Sequence, residues 1–383
     1  MSIRKNFKTL ALASIALGLG VAALPAGAVG TAAGTSVTNR ATLSYTVGGV
    51  AQTVINSSPT GNSTPGAAGG ADTAFVVDRI VNYTLTTVDT TAVVGTPGQT
   101  LLVTTYLVTN TGNDKEAMAL SAANLVGGTV LTSNVDTIDM SNIKVYYGPD
   151  AVSAYNAGTV VLGNLDNLLA DASRRLFVVA DMPVTAKNGD GANVRLTAKA
   201  AVAGSAGATL ETATVGADNA AVVDVVINAA VATTTAGVTT SVKTSDSGYA
   251  VSAPTLTVQK SEVVISDPVN GVSANAKAIP GATVEYTLTI TNTGTTAANG
   301  VAFTDPIATT LTLSQSVYNT TQNVTITSGG TTRYCTAEAG GTDSNADGCL
   351  FAANSISVNP TTAIVIGTGA ANTAVIKYRV TIN

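Results

Sequence analysis

Two stretches of the chain share nearly the same order of residues, although they lie far apart in the sequence. Each begins with a Pro-Gly turn, continues with a run rich in β-branched residues and ends in Asn-Thr-Gly; the two copies span residues 96–112 and 278–294. Pro-Gly and Asn-Thr-Gly favour turns, and the run between them has the composition of a β-strand. A repeated turn-strand-turn unit predicts two similar β-domains in succession.

The two copies differ in length. The step from Pro97 to Asn110 is one residue longer than the step from Pro280 to Asn292. Because a shift of one residue turns every side chain of a strand to the opposite face, the extra residue has to be absorbed. We predict a β-bulge around Val103–Thr105.

The composition excludes several classes of protein. The chain has no His and no Trp, its net charge is −5, and only 11% of its residues are charged. Without His there is no Ser-His-Asp triad, no imidazole base and no ordinary zinc site. An acidic, weakly charged chain without a basic cluster argues against nucleic acid as a partner. We therefore expect a protein that is not an enzyme and that needs no cofactor, with calcium as the one candidate ion.

The first 28 residues have the pattern of a bacterial secretory signal peptide. A positively charged start precedes an apolar run at residues 10–24, which is too short for a comfortable membrane span, and Ala26-Gly27-Ala28 is a small-residue cleavage site. No later segment is long and apolar enough to cross a membrane. We expect a cleaved, exported chain without a transmembrane segment.

The strand pattern predicts an all-β fold of two tandem Ig-like antiparallel β-sandwiches, preceded by an N-terminal β-hairpin segment. Residues 41–47 and 50–55 alternate apolar and polar side chains around Gly48-Gly49, which predicts the hairpin. The predicted segments are a signal peptide at 1–28, an N-terminal β-segment at 29–80, a first sandwich at 81–232, a Thr/Ser/Gly-rich linker or long exposed hairpin at 233–253, and a second sandwich at 254–383.

Alternation along the second copy of the repeat predicts which side chains enter the core. Successive residues of a strand point to opposite faces of its sheet. The predicted inward set is Val284, Tyr286, Leu288 and Ile290. Glu285 is expected on the outer face.

The second domain resembles a known family. The residues that carry the resemblance are 256–294, which include the second repeat copy, and Phe303-Thr-Asp-Pro-Ile307. They are similar to the conserved-repeat domain catalogued as domain of unknown function eleven, and the first domain resembles the module often found ahead of it. The resemblance implies an Ig-like exported or cell-surface protein of a Gram-negative bacterium, without an established activity.

Cys335 and Cys349 are the only two cysteines. In an exported chain they are expected to form a disulfide with each other. Two free thiols that bridge neighbouring chains are the alternative.

The loop between these cysteines contains the start of a calcium-loop motif. Asp343, Asn345 and Asp347 alternate ahead of Gly348, so their oxygens could converge on one ion. The twelfth position of the motif is Asn354 and not the usual bidentate Glu. The alternative is that Asp, Asn and Gly are turn formers at a hairpin tip.

Lys260 shares its inward phase with Leu256 and Val258 and is therefore a candidate for a Lys–Asn isopeptide crosslink. Such chemistry needs a carboxylate beside the pair to move protons, and Glu285 and Asn383 both point outward by strand phase. The favoured interpretation is a lysine at a strand edge, whose stem packs while its amine reaches solvent.

We expect a non-catalytic structural protein of the cell exterior, whose partners are copies of itself or other surface components. Strands near the ends of a chain can add to an open sheet edge of a neighbour, and residues 37–54 are the predicted donor. The alternative for this hairpin is pairing within its own chain. The alternative function is a surface adhesin or a carbohydrate- or protein-binding module, while a hydrolase lacks any catalytic constellation that can be placed.

Overall fold

The computed structural model describes residues 30–66, 68–131, 134–149, 154–228, 232–235, 238–315, 317–319 and 321–383. The predicted signal peptide at 1–28 lies outside these ranges. Within them the predicted all-β fold is confirmed, because every regular element is a strand apart from one 3-10 turn at Gly369–Ala371.

The N-terminal segment consists of short two-stranded ladders. Its strands are β1 (Ser36–Asn39), β2 (Thr42–Leu43), β3 (Thr46–Val47), β4 (Val50–Ala51), β5 (Ile55–Asn56) and β6 (Thr73–Val76). β3 pairs with β4 and β2 with β5, which confirms the hairpin, while β1 pairs with β6. Gly48 and Gly49 both have positive φ, 55° and 81°, as a two-residue hairpin turn of this kind requires.

The first sandwich contains β7 to β21. These strands are β7 (Arg79–Val81), β8 (Tyr83–Thr87), β9 (Val93–Gly95), β10 (Leu102–Asn110), β11 (Glu116–Asn124), β12 (Thr129–Val130), β13 (Asn134–Val135), β14 (Ser141–Tyr147), β15 (Val161–Leu162), β16 (Leu165–Leu168), β17 (Ser173–Asp181), β18 (Gly191–Ala201), β19 (Val225–Ile227), β20 (Ala232–Thr235) and β21 (Val238–Val251). One sheet has the order β15-β14-β17-β10-β8, and the facing sheet has the order β16-β11-β18-β21-β20. The core between them is built from apolar side chains of both sheets.

The second sandwich contains β22 to β33. These strands are β22 (Leu256–Ser266), β23 (Thr283–Asn292), β24 (Ala298–Val301), β25 (Phe303–Pro306), β26 (Leu311–Leu313), β27 (Val324–Ser328), β28 (Thr331–Cys335), β29 (Glu338–Ala339), β30 (Cys349–Ala352), β31 (Ser355–Val358), β32 (Ile364–Ile366) and β33 (Thr373–Ile382). One sheet has the order β22-β23-β33-β27-β28, and the other ladders are β25-β31-β30-β29 and β24-β32.

The two sandwiches share one plan. In the first, β10 lies between β8 and β17, β14 pairs with the other side of β17, and β16 pairs with β11. In the second, β23 lies between β22 and β33, β27 pairs with the other side of β33, and β32 pairs with β24. The repeated stretches therefore form the same strand, β10 and β23, in each sandwich.

The predicted linker is corrected by the structure. Residues 238–251 form β21, which pairs along nine residues of β18 and completes a sheet of the first sandwich. β20 and β21 form the hairpin that was the alternative for this stretch. Thr and Ser residues occupy buried positions of β21, including Ser247, whose Oγ donates to Asp89. A strand that buries hydroxyls instead of large apolar groups has the composition of a linker.

The predicted bulge at Val103–Thr105 is wrong. β10 pairs with β17 in one unbroken register from Leu102 to Thr109. The extra residue of the first copy is absorbed at Leu101, immediately before the ladder begins. Leu101 has a φ of 58°, and its backbone N–H donates to Asp181 Oδ1. A left-handed residue just before the strand restores the phase without disturbing the ladder.

Strand phase in the second sandwich agrees with the prediction for most of β23. Val284, Leu288 and Ile290 are buried, and Tyr286 packs against the same core. Glu285 is on the outer face, but it is only 7% exposed. Tyr318 donates a hydrogen bond to its carboxylate, and Arg379 pairs with it at 2.8 Å, so a polar cluster covers this face.

The asparagine of Asn-Thr-Gly is buried in both sandwiches. Asn110 Nδ2 donates to the carbonyls of Asp114 and Leu168, and its Oδ1 accepts from Gly112 N–H. Asn292 is 2% exposed and has an equivalent set of partners: Nδ2 donates to the carbonyls of Thr296, Ile366 and Gly367, and Oδ1 accepts from the N–H groups of Thr255 and Gly294. The motif is therefore a buried hydrogen-bonding centre that joins separate parts of the chain.

The glycine of the motif lies against the segment that enters each sandwich. A Cβ atom on Gly112 would collide with the carbonyl oxygen of Ile80, and one on Gly294 with that of Ala253. The residue before each glycine also forms a hydrogen bond to this entering segment. Thr111 N–H donates to the backbone carbonyl of Asn82, and Thr293 N–H donates to that of Thr255. Asn-Thr-Gly thus fixes the start of both sandwiches.

Candidate functional site

The disulfide predicted between Cys335 and Cys349 is present. It joins β28 to β30, its Cα atoms are 5.9 Å apart, and both cysteines are buried. In the chain-entropy account, closing a loop of 14 residues stabilises the fold by about 3 kcal/mol. The bond holds a strand of one sheet to a strand of the facing ladder.

The calcium-motif residues come together, but their oxygens have partners in the loop itself. Asp343 accepts from the N–H groups of Asp347 and Gly348, and Asn345 Oδ1 also accepts from Asp347 N–H. Asp347 accepts from the N–H groups of Thr336 and Cys349. These bonds are those of turn formers, the alternative for this loop, and calcium binding stays a prediction.

Lys260 lies on β22 and faces the second ladder of its sandwich. Its Nζ is 2.7 Å from Oδ2 and 2.8 Å from Oδ1 of Asp305, which belongs to β25. The Nζ also lies 4.4 Å from the ring centroid of Tyr286. The carboxylate beside Lys260 is thus not Glu285 but Asp305, which belongs to the Phe303-Thr-Asp-Pro-Ile307 stretch that carries the family resemblance.

A buried ionic cluster was missed by the sequence analysis. Arg79 on β7 forms ion pairs with Glu116 at 3.1 Å and, closely, with Glu211; the two carboxylates are 1% and 4% exposed. Asp114 lies 3.7 Å from Arg79 on the same side. Burial raises the pKa of Glu116 to about 8, and the Glu211 carboxylate adds to the rise while Arg79 opposes it. No local pattern signals this cluster, because its members come from three distant parts of the chain.

This cluster predicts that the protein loses stability as pH rises. The ordinary pKa of a Glu in the unfolded chain is 4.5, whereas Glu116 holds its proton up to about pH 8 when folded. Folding therefore binds a proton between these values, and stability falls through this window by on the order of 5 kcal/mol. Urea denaturation across the window should show this slope, and Glu116→Gln should make it shallower, with a remainder from Glu211, whose pKa burial also raises.

Glu262→Gln is the matched control, because Glu262 is an exposed carboxylate on β22. This variant should keep the slope of the unmodified protein. A stability that is constant or rises with pH between about 4.5 and 8 would contradict the cluster's role.

β22 is an edge strand whose inner face is uncovered at one end. Among the described residues it pairs only with β23, and all of its residues from Leu256 to Val263 are exposed. The equivalent strand of the first sandwich is β8, since Tyr83 pairs with Asn110 as Leu256 pairs with Asn292. The two strands differ sharply in burial.

The difference in burial comes from β21. Tyr83 and Leu85 of β8 are 1% and 8% exposed, and the Tyr83 hydroxyl donates to backbone carbonyls of β18 and β21. Their counterparts Leu256 and Val258 of β22 are 43% and 65% exposed. The second sandwich thus leaves exposed the apolar side chains whose counterparts β21 covers in the first, on a strand that, like β8, lies at the edge of its sheet.

The N-terminal hairpin also exposes apolar side chains. Leu43, Val47 and Val50 are 58%, 61% and 65% exposed. Each of its ladders has only two strands, and on the β5 side Gly66 N–H donates to the carbonyl of Val54. The alternative expectation, that the hairpin pairs within its own chain, agrees with these ladders.

Comparisons with known proteins define no family for this chain. No family description and no curated protein matches it. Among solved structures it is similar to a family 123 glycoside hydrolase from Clostridium perfringens, at 14% identity over 31% of this chain and 24% of that one, with a TM-score of 0.21. It is also similar to AvmM, which catalyses macrocyclization in alchivemycin A biosynthesis. The identity is 12% over 46% of this chain and 91% of that one, with a TM-score of 0.21.

A third similar structure is the collagen adhesin of S. aureus, at 14% identity over 80% of this chain and 84% of that one, with a TM-score of 0.19. The chain spans about a quarter of the hydrolase. None of these likenesses is close enough to carry an argument about function. In the part of the chain that the structure describes, no helix could span a membrane.

Proposed function

We propose that this chain is a non-catalytic structural protein of the cell exterior that associates with further copies of itself by β-strand addition. The observation that carries the proposal is the edge strand β22 with its exposed apolar side chains, whose counterparts on the edge strand β8 are buried under β21. A neighbouring strand that adds to this edge gains a ladder of backbone hydrogen bonds and buries exposed apolar side chains. The signal pattern at 1–28 supports export, and the disulfide is compatible with an oxidising compartment.

The proposed occupant of the edge is the N-terminal hairpin of a second copy, within residues 37–54. This hairpin exposes Leu43, Val47 and Val50. A two-stranded hairpin is marginal in water and gains stability when it joins a larger sheet. Because the hairpin already has extended strands, it can add to β22 without unfolding a sandwich.

A charge on β22 restricts which strand can add. Glu262 interrupts the apolar positions of the inner face. Charged side chains on an edge strand oppose indiscriminate pairing, so a partner has to match their positions. This supports a specific contact between copies over general aggregation.

Two changes test the proposal. Deletion of residues 29–56 removes the donor, and Val258→Lys adds a charge to the acceptor edge, where the side chain is 65% exposed. Both should abolish assemblies seen by negative-stain microscopy and light scattering, while circular dichroism shows folded sandwiches. The matched control is Val269→Lys, at a loop position that is 78% exposed, and it should assemble normally.

Assemblies that persist after both changes would overturn strand addition at β22. Single particles at every concentration in the unchanged protein would do the same and would favour the binding-module alternative.

A further inference from the structure

We propose that Lys260 and Asp305 form an intramolecular amide bond, which links β22 to β25 across the second sandwich. The inference is independent of the proposed self-association. It starts from an ammonium group placed against both oxygens of one carboxylate, at 2.7 and 2.8 Å. The two residues lie on different sheets, so the bond would be a covalent tie between the halves of the sandwich.

The surroundings favour a neutral product over a pair of charges. Asp305 is 8% exposed, and the Nζ of Lys260 lies over the ring of Tyr286, with the ring of Tyr378 beyond it. The side chain of Lys260 is 38% exposed, so the desolvation cost of the pair falls mainly on the carboxylate, and a neutral amide carries no such charge.

The arrangement also supplies proximity. In solution an amine and a carboxylic acid remain apart, but two groups held in contact react as if at very high concentration, with effective molarities of about 10⁵ to 10⁸ M. β22 and β25 are held in place by their own ladders with β23 and β31. The amine and the carboxylate carbon are thus kept together without a binding step.

Tyr378 stabilises the charge that develops on the carboxyl oxygen. Its hydroxyl donates a hydrogen bond to Asp305 Oδ2. Burial and the neighbouring carboxylate raise the pKa of Tyr378 far above its ordinary value, so the hydroxyl keeps its proton and remains a donor. A fixed donor at this oxygen stabilises the tetrahedral intermediate in the same way as an oxyanion hole.

The protons balance within the pair itself. The ammonium of Lys260 transfers one proton to the carboxylate of Asp305, which gives a neutral amine and a carboxylic acid. The Nζ attacks Cγ, the Nζ–Cγ bond forms, and the Cγ–OH bond breaks. The hydroxyl leaves as water with the second proton of the amine, so neither an oxidant nor an external base is consumed.

Intact mass of the purified, reduced and denatured chain tests the bond. The expected mass is lower than that of the unlinked chain by one water. Trypsin should fail to cleave after Lys260, and the peptide that contains it should stay joined to the peptide that contains Asp305. An unmodified mass, with both peptides released separately, would overturn the proposal.

Three variants make the assignment specific. Lys260→Arg keeps the charge but has no reactive amine, so it should show no loss of mass; a loss of water in this variant would place the reaction elsewhere and overturn the assignment. Asp305→Asn should close by loss of ammonia and reach the same final mass as the linked unmodified chain. Tyr378→Phe should lower the linked fraction, and full linkage in that variant would remove the role given to Tyr378.

Discussion

Replacing Gly294 by alanine is expected to unfold the second sandwich. A Cβ atom at this position would meet the carbonyl oxygen of Ala253 at a separation that real Cβ atoms do not show, and it would lie 2.5 Å from Thr255 N. Both obstacles are backbone atoms, so no side chain can turn aside, and the entering segment itself would have to move. We expect a loss of about 4 kcal/mol or more, the range that marks a disrupted core or backbone.

Urea denaturation followed by circular dichroism measures this loss, with limited proteolysis to show which sandwich opens. Gly112→Ala should do the same to the first sandwich, because its Cβ would meet the carbonyl of Ile80. Gly158→Ala is the matched control, since the nearest atom there lies at an ordinary 3.5 Å. A Gly294→Ala protein as stable as the control would refute the role given to the motif.

Replacing Asn292 by alanine is expected to have the second largest effect. The change leaves the buried carbonyl of Ile366 without its partner. It also leaves the half-buried carbonyls of Thr296 and Gly367 and the half-buried N–H groups of Thr255 and Gly294 without theirs. An unsatisfied buried polar group costs about 1 to 3 kcal/mol. Because several groups lose their partner at once, we expect the free energy of unfolding to fall by about 3 to 5 kcal/mol in total.

Asn110→Ala provides a graded comparison. Asn110 Nδ2 donates to the carbonyls of Asp114 and Leu168, and its Oδ1 accepts from Gly112 N–H. Within the described residues Asn110 Oδ1 accepts no second N–H from the entering segment, whereas Asn292 Oδ1 accepts from Thr255 N–H. Its loss should therefore cost less than that of Asn292 in the same denaturation assay. Equal and small effects at both positions would mean that water replaces the side chain and that the motif is not a structural centre.

The repeat could be interpreted from the sequence because its chemistry is local. Turn residues at both ends and alternation between them predict a strand and its inward side chains, and Val284, Leu288 and Ile290 are indeed buried. The extra residue of the first copy was placed wrongly, since a left-handed conformation at Leu101 costs less than a break in a long ladder. Periodicity shows that a residue must be absorbed, but not where.

The candidate site depends on contacts that have no period in the sequence. Lys260 was recognised as inward-facing, but its partner Asp305 lies on the facing ladder and could not be derived from spacing. The exposure of Val258 results from the absence of a covering strand, while its counterpart Leu85 is buried by a strand that had the composition of a linker. Such differences are decided by tertiary packing, which overrides local preference.

The central claim is that the open edge of β22 receives a strand from another copy, and amide hydrogen exchange tests it most directly. Exchange of residues 256–263 should be fast in dilute protein and should slow as the protein concentration rises, together with exchange of residues 37–54. The rest of both sandwiches should keep its protection unchanged. Exchange of residues 256–263 that is equally fast in dilute and in assembled protein would contradict the claim.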